Sequence, residues 1–109
     1  MQDLMNEMQL LRNTLSVAIN ELRKRGQAKA KAEQEYRVAL AKEMLIKRDE
    51  GLPVTILGDV CRGKREIAKL KFDRDFAETL YESCLQKIYS TKLEMGIIEN
   101  QMRAERKGE

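Results

Sequence analysis

Residues 50–66 read "EGLPVTILGDVCRGKRE", and the reading of this stretch decides the fold. It contains the chain's single proline, Pro53, and three of its six glycines, Gly51, Gly58 and Gly63. A plain linker would be polar, yet this one also carries Leu52, Val54, Ile56, Leu57 and Val60. Gly51 suits the position just past a helix end, where positive φ is needed, and Pro53 prevents the helix from restarting. The segment is therefore expected to be an apolar connecting loop at about 51–63. Its aliphatic side chains need a cover: it folds back over the tip and shields Met44, Leu45 and Leu70, or it offers a short strand to another chain.

Upstream, Leu4, Met8, Leu11, Leu15, Ala18 and Leu22 alternate steps of four and three, the seam of a helix that packs on another helix. Arg25 and Gly26 take the next seam step, and Gly costs roughly 1 kcal/mol relative to Ala in a helix interior, so the sequence leaves room for a bend, a break or a frayed stretch near Gly26. Ala28, Ala32, Tyr36, Ala39, Leu40 and Met44 resume the stripe, and helix one should cover about 3–49. Downstream, Ile67, Leu70, Ala77, Tyr81, Cys84, Ile88, Met95, Ile98 and Met102 repeat the rhythm over about 64–103, with Arg74 and Thr91 as polar occupants.

These two helices and the loop predict an all-α chain, a single domain over 1–109 built as a long antiparallel, coiled-coil-like helical hairpin. Folding about the loop sets Met44 near Leu70, Tyr36 near Ala77 and Leu15 near Ile98, and brings Glu43 within salt-bridge reach of Arg74. Helix two carries further apolar rows, Phe72, Phe76 and Leu80 on one flank and Leu85, Tyr89, Leu93 and Ile97 on the other. One partner helix cannot cover so wide a band. Phe72, Phe76, Leu85, Tyr89, Leu93 and Ile97 are the expected oligomer interface, through which the chain forms a homo-oligomeric helical bundle, a dimer by preference.

Composition narrows the chemistry. The 109 residues include 21 basic and 18 acidic side chains, a net charge of +3, no His and no Trp. Without histidine there is no side chain that titrates near neutrality by default, and no Glu-x-x-His pair for a carboxylate-bridged metal. No complete phosphate-loop motif occurs, since Gly58, Gly63 and Lys64 are followed by Arg65 where such a loop has Ser or Thr, and Cys61 and Cys84 are too far apart for a CxxC site. The expectation is a non-enzyme with no catalytic residues, no cofactor and no metal. "MQDLMNEMQLL" carries acids where a signal peptide needs bases, and no apolar run reaches membrane length, so the chain is expected in the cytoplasm and away from membranes.

Arg23, Lys24, Arg25, Lys29 and Lys31 lie together without an acid among them, and Arg62, Lys64 and Arg65 form a smaller group at the loop exit. Either could contact phosphate and make the chain a nucleic-acid-binding factor. No aromatic interleaves the first group and no helix-turn-helix spacing surrounds it, so a solvated helix face is the plainer reading. Leu52, Val54, Ile56, Leu57 and Val60 are the candidate contacts for a protein partner.

"EGLPVT", the "GDVCRG" turn, "LKFDRDFAETLYES" and "KLEMGIIENQMRAE" give the chain from Tyr36 onward a pattern that resembles a group of small helical accessory proteins of phages and prophages of Gram-positive bacteria. The resemblance implies a phage protein of the bacterial host cytoplasm, with no catalytic residues to carry over. The expected function is a protein-binding module acting on a host or phage protein. Its sharpest form is an inhibitor of a bacterial defence complex such as a CRISPR effector, an anti-CRISPR that occludes a surface, since so balanced a charge cannot imitate DNA. A nucleic-acid accessory factor in phage replication, recombination or packaging is the alternative, and a structural spacer the third.

Overall fold

The computed structural model describes residues 1–108, and every regular element among them is helical. Helix α1 spans Gln2–Asp49, α2 spans Val54–Arg62 and α3 spans Arg65–Gly108. Helix α1 is continuous through Gly26, so of the alternatives left open there a break is absent. Good helix formers on either side outweigh the local cost of one glycine. Lys47 and Arg48 in the last turn of α1, and Arg106 and Lys107 in that of α3, sit where the helix dipole favours positive charge. The chain divides into two compact units, one of Met1–Lys24 with Tyr81–Glu109 and the other of Arg25–Leu80.

In the first unit the seam read from sequence is the packing surface. Ala18, Cys84 and Ile88 form its buried cluster, with Leu15 and Leu22 packed against it. Ala18 is small enough for the two backbones to approach closely, and the Cys84 thiol donates a hydrogen bond across the interface to the Ala18 carbonyl at 3.3 Å. Thr91 is buried in the seam without penalty because its hydroxyl donates to the Lys87 carbonyl of its own helix at 2.7 Å.

In the second unit α1 ends as the sequence requires. Gly51 has φ +90°, its N–H donates to the Arg48 carbonyl, and the Leu52 N–H reaches back to that of Lys47. This pair of bonds is a Schellman stop. The loop expected at 51–63 is instead mostly helix. Pro53 stands at its N-cap, and Leu57 and Cys61, one turn apart, are its buried residues. A nine-residue helix is marginal in isolation. Tertiary burial of those two side chains is what stabilises it, and it removes the option of a strand. Leu45 is exposed rather than shielded, while Met44 and Leu70 are half-buried.

The helices are antiparallel, but the expected pair of Glu43 with Arg74 does not form. In the second unit Glu43 bonds Lys64 at 2.9 Å, not Arg74, and Arg74 lies over the Tyr36 ring at 4.6 Å and 3.5 Å from Glu33. In the first unit Leu15 packs against the cluster of Ala18, Cys84 and Ile88, and Ile98 shares a groove with Leu11 and Thr14. Treating residues 51–63 as a loop rather than a helix is what misplaced the pair of Glu43 and Arg74. Glu43 stands opposite the start of α3, and α1 runs six residues further to Asp49, about 9 Å.

Two outcomes check this account. Replacing Gly51 by Ala forces a β-carbon into a left-handed torsion, and is expected to lower unfolding free energy by about 1–2 kcal/mol in urea while helix content stays the same. Hydrogen bonding to Glu43 raises the Lys64 pKa above its ordinary 10.5, so the contribution of that bond is complete below that value and lost as pH climbs through the folded-state value. Between about pH 9 and pH 12 the thermal midpoint should therefore fall less in Glu43→Gln than in the wild type. Equal falls would mean that the pair contributes nothing.

Candidate functional site

The apolar segment at the turn has an inner and an outer side. As α2 winds, Leu57 turns inward and is buried, which removes it from the residues a partner could touch. Val54, Ile56 and Val60 face solvent, and Leu52 is half-buried. Leu57 and Cys61 are four residues apart, and so are Ile56 and Val60; this helical spacing was present in the sequence but hidden by Gly58 and the β-branched residues.

Helix α3 carries the broader apolar surface. In the second unit Phe72 and Phe76 are 66% and 55% exposed, and their rings stack with centroids 6.2 Å apart. In the first unit Tyr89, Leu93 and Ile97 are 62%, 54% and 58% exposed, and Leu85 is half-buried. Large side chains at this exposure are costly in water, and aromatic ones are the usual anchors of interfaces. Phe72, Phe76, Tyr89 and Leu93 lie on the side of α3 away from the seam, whereas Leu85 and Ile97 flank it.

The first unit also has a groove of about 370 Å³ between α1 and α3 that sequence reasoning missed. Leu10, Leu11, Thr14, Ile97 and Ile98 line it, with Glu7 and Glu94 also on its walls. Leu10 and Ile97, each one position before a seam residue, are the signal that could have found it.

The basic run does not form a stripe. At 100° per residue Arg23 and Lys24 diverge at once, and Lys31 points about 160° away from Lys29. Arg23, Lys24 and Lys31 are exposed, whereas Arg25 and Lys29 are half-buried. At the turn, Arg62 lies 3.9 Å from Asp59, Lys64 is held by Glu43, and Arg65 is exposed.

A different set of positive groups gathers in the second unit, where Arg37, Arg62, Lys71 and Arg74 line a depression of about 580 Å³ with Tyr36, Leu40 and Met44. These cations are engaged. Arg37 bonds Glu33 at 2.6 Å, Lys71 lies 3.4 Å from Asp75, and Arg74 bonds Asp75 at 2.9 Å. Bonding to Asp75 raises the Arg74 pKa, and the same bond from Arg74 lowers that of Asp75.

Among the described residues no three His, Cys, Asp or Glu side chains gather as a metal site would need, and no buried side-chain nitrogen or oxygen lacks a hydrogen-bond partner. No helix among them is long and apolar enough to cross a membrane. No family model matches this chain, and no curated protein or solved structure is similar to it.

Proposed function

We propose that this chain is a protein-binding module that offers apolar helix faces to other protein chains and carries out no catalysis. The observation that carries the reading is the outer side of α3, where large apolar side chains stay more than half exposed in each unit although the seam beside them is filled. Helices this charged need no such residues for solubility, and each one left in water forgoes on the order of 1.5–3 kcal/mol that burial would supply. A binding partner recovers that free energy. The narrower expectation, occlusion of a bacterial defence complex, rests on the resemblance to phage accessory proteins and needs a partner from a Gram-positive host.

A second reading, contact with nucleic-acid phosphate, is favoured by the depression of Arg37, Arg62, Lys71 and Arg74 rather than by the run from Arg23 to Lys31. Surface pairs such as Arg37 with Glu33 are worth only about 0–1 kcal/mol, so a phosphate could displace the carboxylates.

Affinity capture from a nuclease-treated Gram-positive lysate separates the two. The protein-binding reading expects a protein retained by the full chain and lost with Phe72→Ser/Phe76→Ser, at unchanged helix content. Retention only before nuclease treatment, together with duplex binding that falls steeply as salt rises, would replace it with the phosphate reading.

A further inference from the structure

The back of α3 in the first unit carries a second seam. Cys84, Ile88, Thr91 and Ile98 are buried and mark its inward side. On the opposite side Gln86, Tyr89, Leu93, Gly96 and Asn100 follow each other by steps of three and four, with Ser90 and Ile97 beside them. This is the spacing of helix-to-helix packing on a face where Tyr89, Leu93 and Ile97 are exposed.

Gly96 has no role within its own chain. A β-carbon there would meet nothing within 4 Å, and its φ is not positive, so neither space nor backbone torsion calls for glycine. In the middle of a helix it costs roughly 1 kcal/mol relative to Ala. A missing side chain on an exposed apolar seam lets another backbone come close.

Charge then selects the occupant. In an antiparallel pair of copies, the row of Gln86, Leu93 and Asn100 faces the row of Tyr89 and Gly96. Setting Leu93 opposite Tyr89 of the second copy places Lys92 beside Lys92 of that copy. Setting Leu93 opposite Gly96 instead places Lys92 beside Glu99 of the second copy, twice by symmetry, and Tyr89 beside Asn100. Lys92 is exposed and has no carboxylate within reach among the described residues, while Glu99 is held only by Arg103 at 3.6 Å. Steric and electrostatic requirements agree on the second register.

We propose that two copies of this chain associate antiparallel through the outer face of α3, Leu93 seating on Gly96 and Lys92 pairing with Glu99 of the other copy. The proposal rests on the binding-module reading and names one partner for it.

Sedimentation equilibrium of the full chain, at concentrations on the order of 10–100 µM, tests it. The wild type should be dimeric and Leu93→Glu monomeric with unchanged helicity. Gly96→Gln, which favours the helix and whose β-carbon meets nothing within 4 Å in its own chain, should weaken the dimer at least about tenfold. Lys92→Glu or Glu99→Lys alone should weaken it about tenfold, and the two together should restore it to within about twofold. A monomeric wild type, a dimer indifferent to Leu93→Glu and Gly96→Gln, or a double reversal that fails to rescue would each overturn it. A monomer that still captures a foreign protein leaves the binding-module reading standing. A dimer that captures nothing overturns that reading's claim on other proteins and leaves this one intact.

Discussion

A helix of 48 residues made largely of Ala, Leu, Glu, Lys and Arg has no internal reason to stop, so something must stop it. Here it is one torsion. Positive φ at Gly51 lets the last carbonyls of α1 bond to the N–H groups of Gly51 and Leu52, and Pro53 brings no N–H with which to continue. The rest of the second unit follows from where that stop falls. Because α1 ends six residues beyond Glu43, the chain can turn back as α2, bury Leu57 and Cys61, and deliver Lys64 to the Glu43 carboxylate.

The packing of each unit is economical with polar groups. Thr91 satisfies its hydroxyl within its own helix, and Cys84 finds a carbonyl on the facing one. Several of the ion pairs, including those from Lys69, Lys71 and Arg103, link residues four apart on one helix. Such pairs add only about 0.2–0.5 kcal/mol each. Cohesion therefore falls on narrow seams. That leaves the outer rows of α3 as apolar surface that the seams do not cover.

Much of this was legible. The three-four rhythm located α1 and α3 to within a few residues, and seam positions from Leu4 to Leu22 and from Ile67 to Met102 are buried or half-buried. Where the rhythm was forced through a polar stretch it misled, as at Ala28, which is exposed while Arg25 and Gly26 are half-buried. The identity of α2 was masked because Pro53, Gly58 and four β-branched residues argue locally against helix. Burial of Leu57 and Cys61 is a tertiary effect that no local preference reports. Register was illegible for the same reason. Equal spacing on both seams permits several alignments one turn apart, and the choice among them depended on the unseen helix at the turn. The gathering of Arg37, Arg62, Lys71 and Arg74 draws on three helices and has no signature along the chain.

The two cysteines give each unit its own internal clock. Cys61 is 1% exposed in one unit and Cys84 is buried in the other, and neither is tied in a disulfide. A thiol so enclosed reacts only when its surroundings part, so the rate of modification by an external reagent registers opening of the turn at one site and separation of α1 from α3 at the other. The same molecule thus carries, without any added label, separate gauges of how often each half breathes.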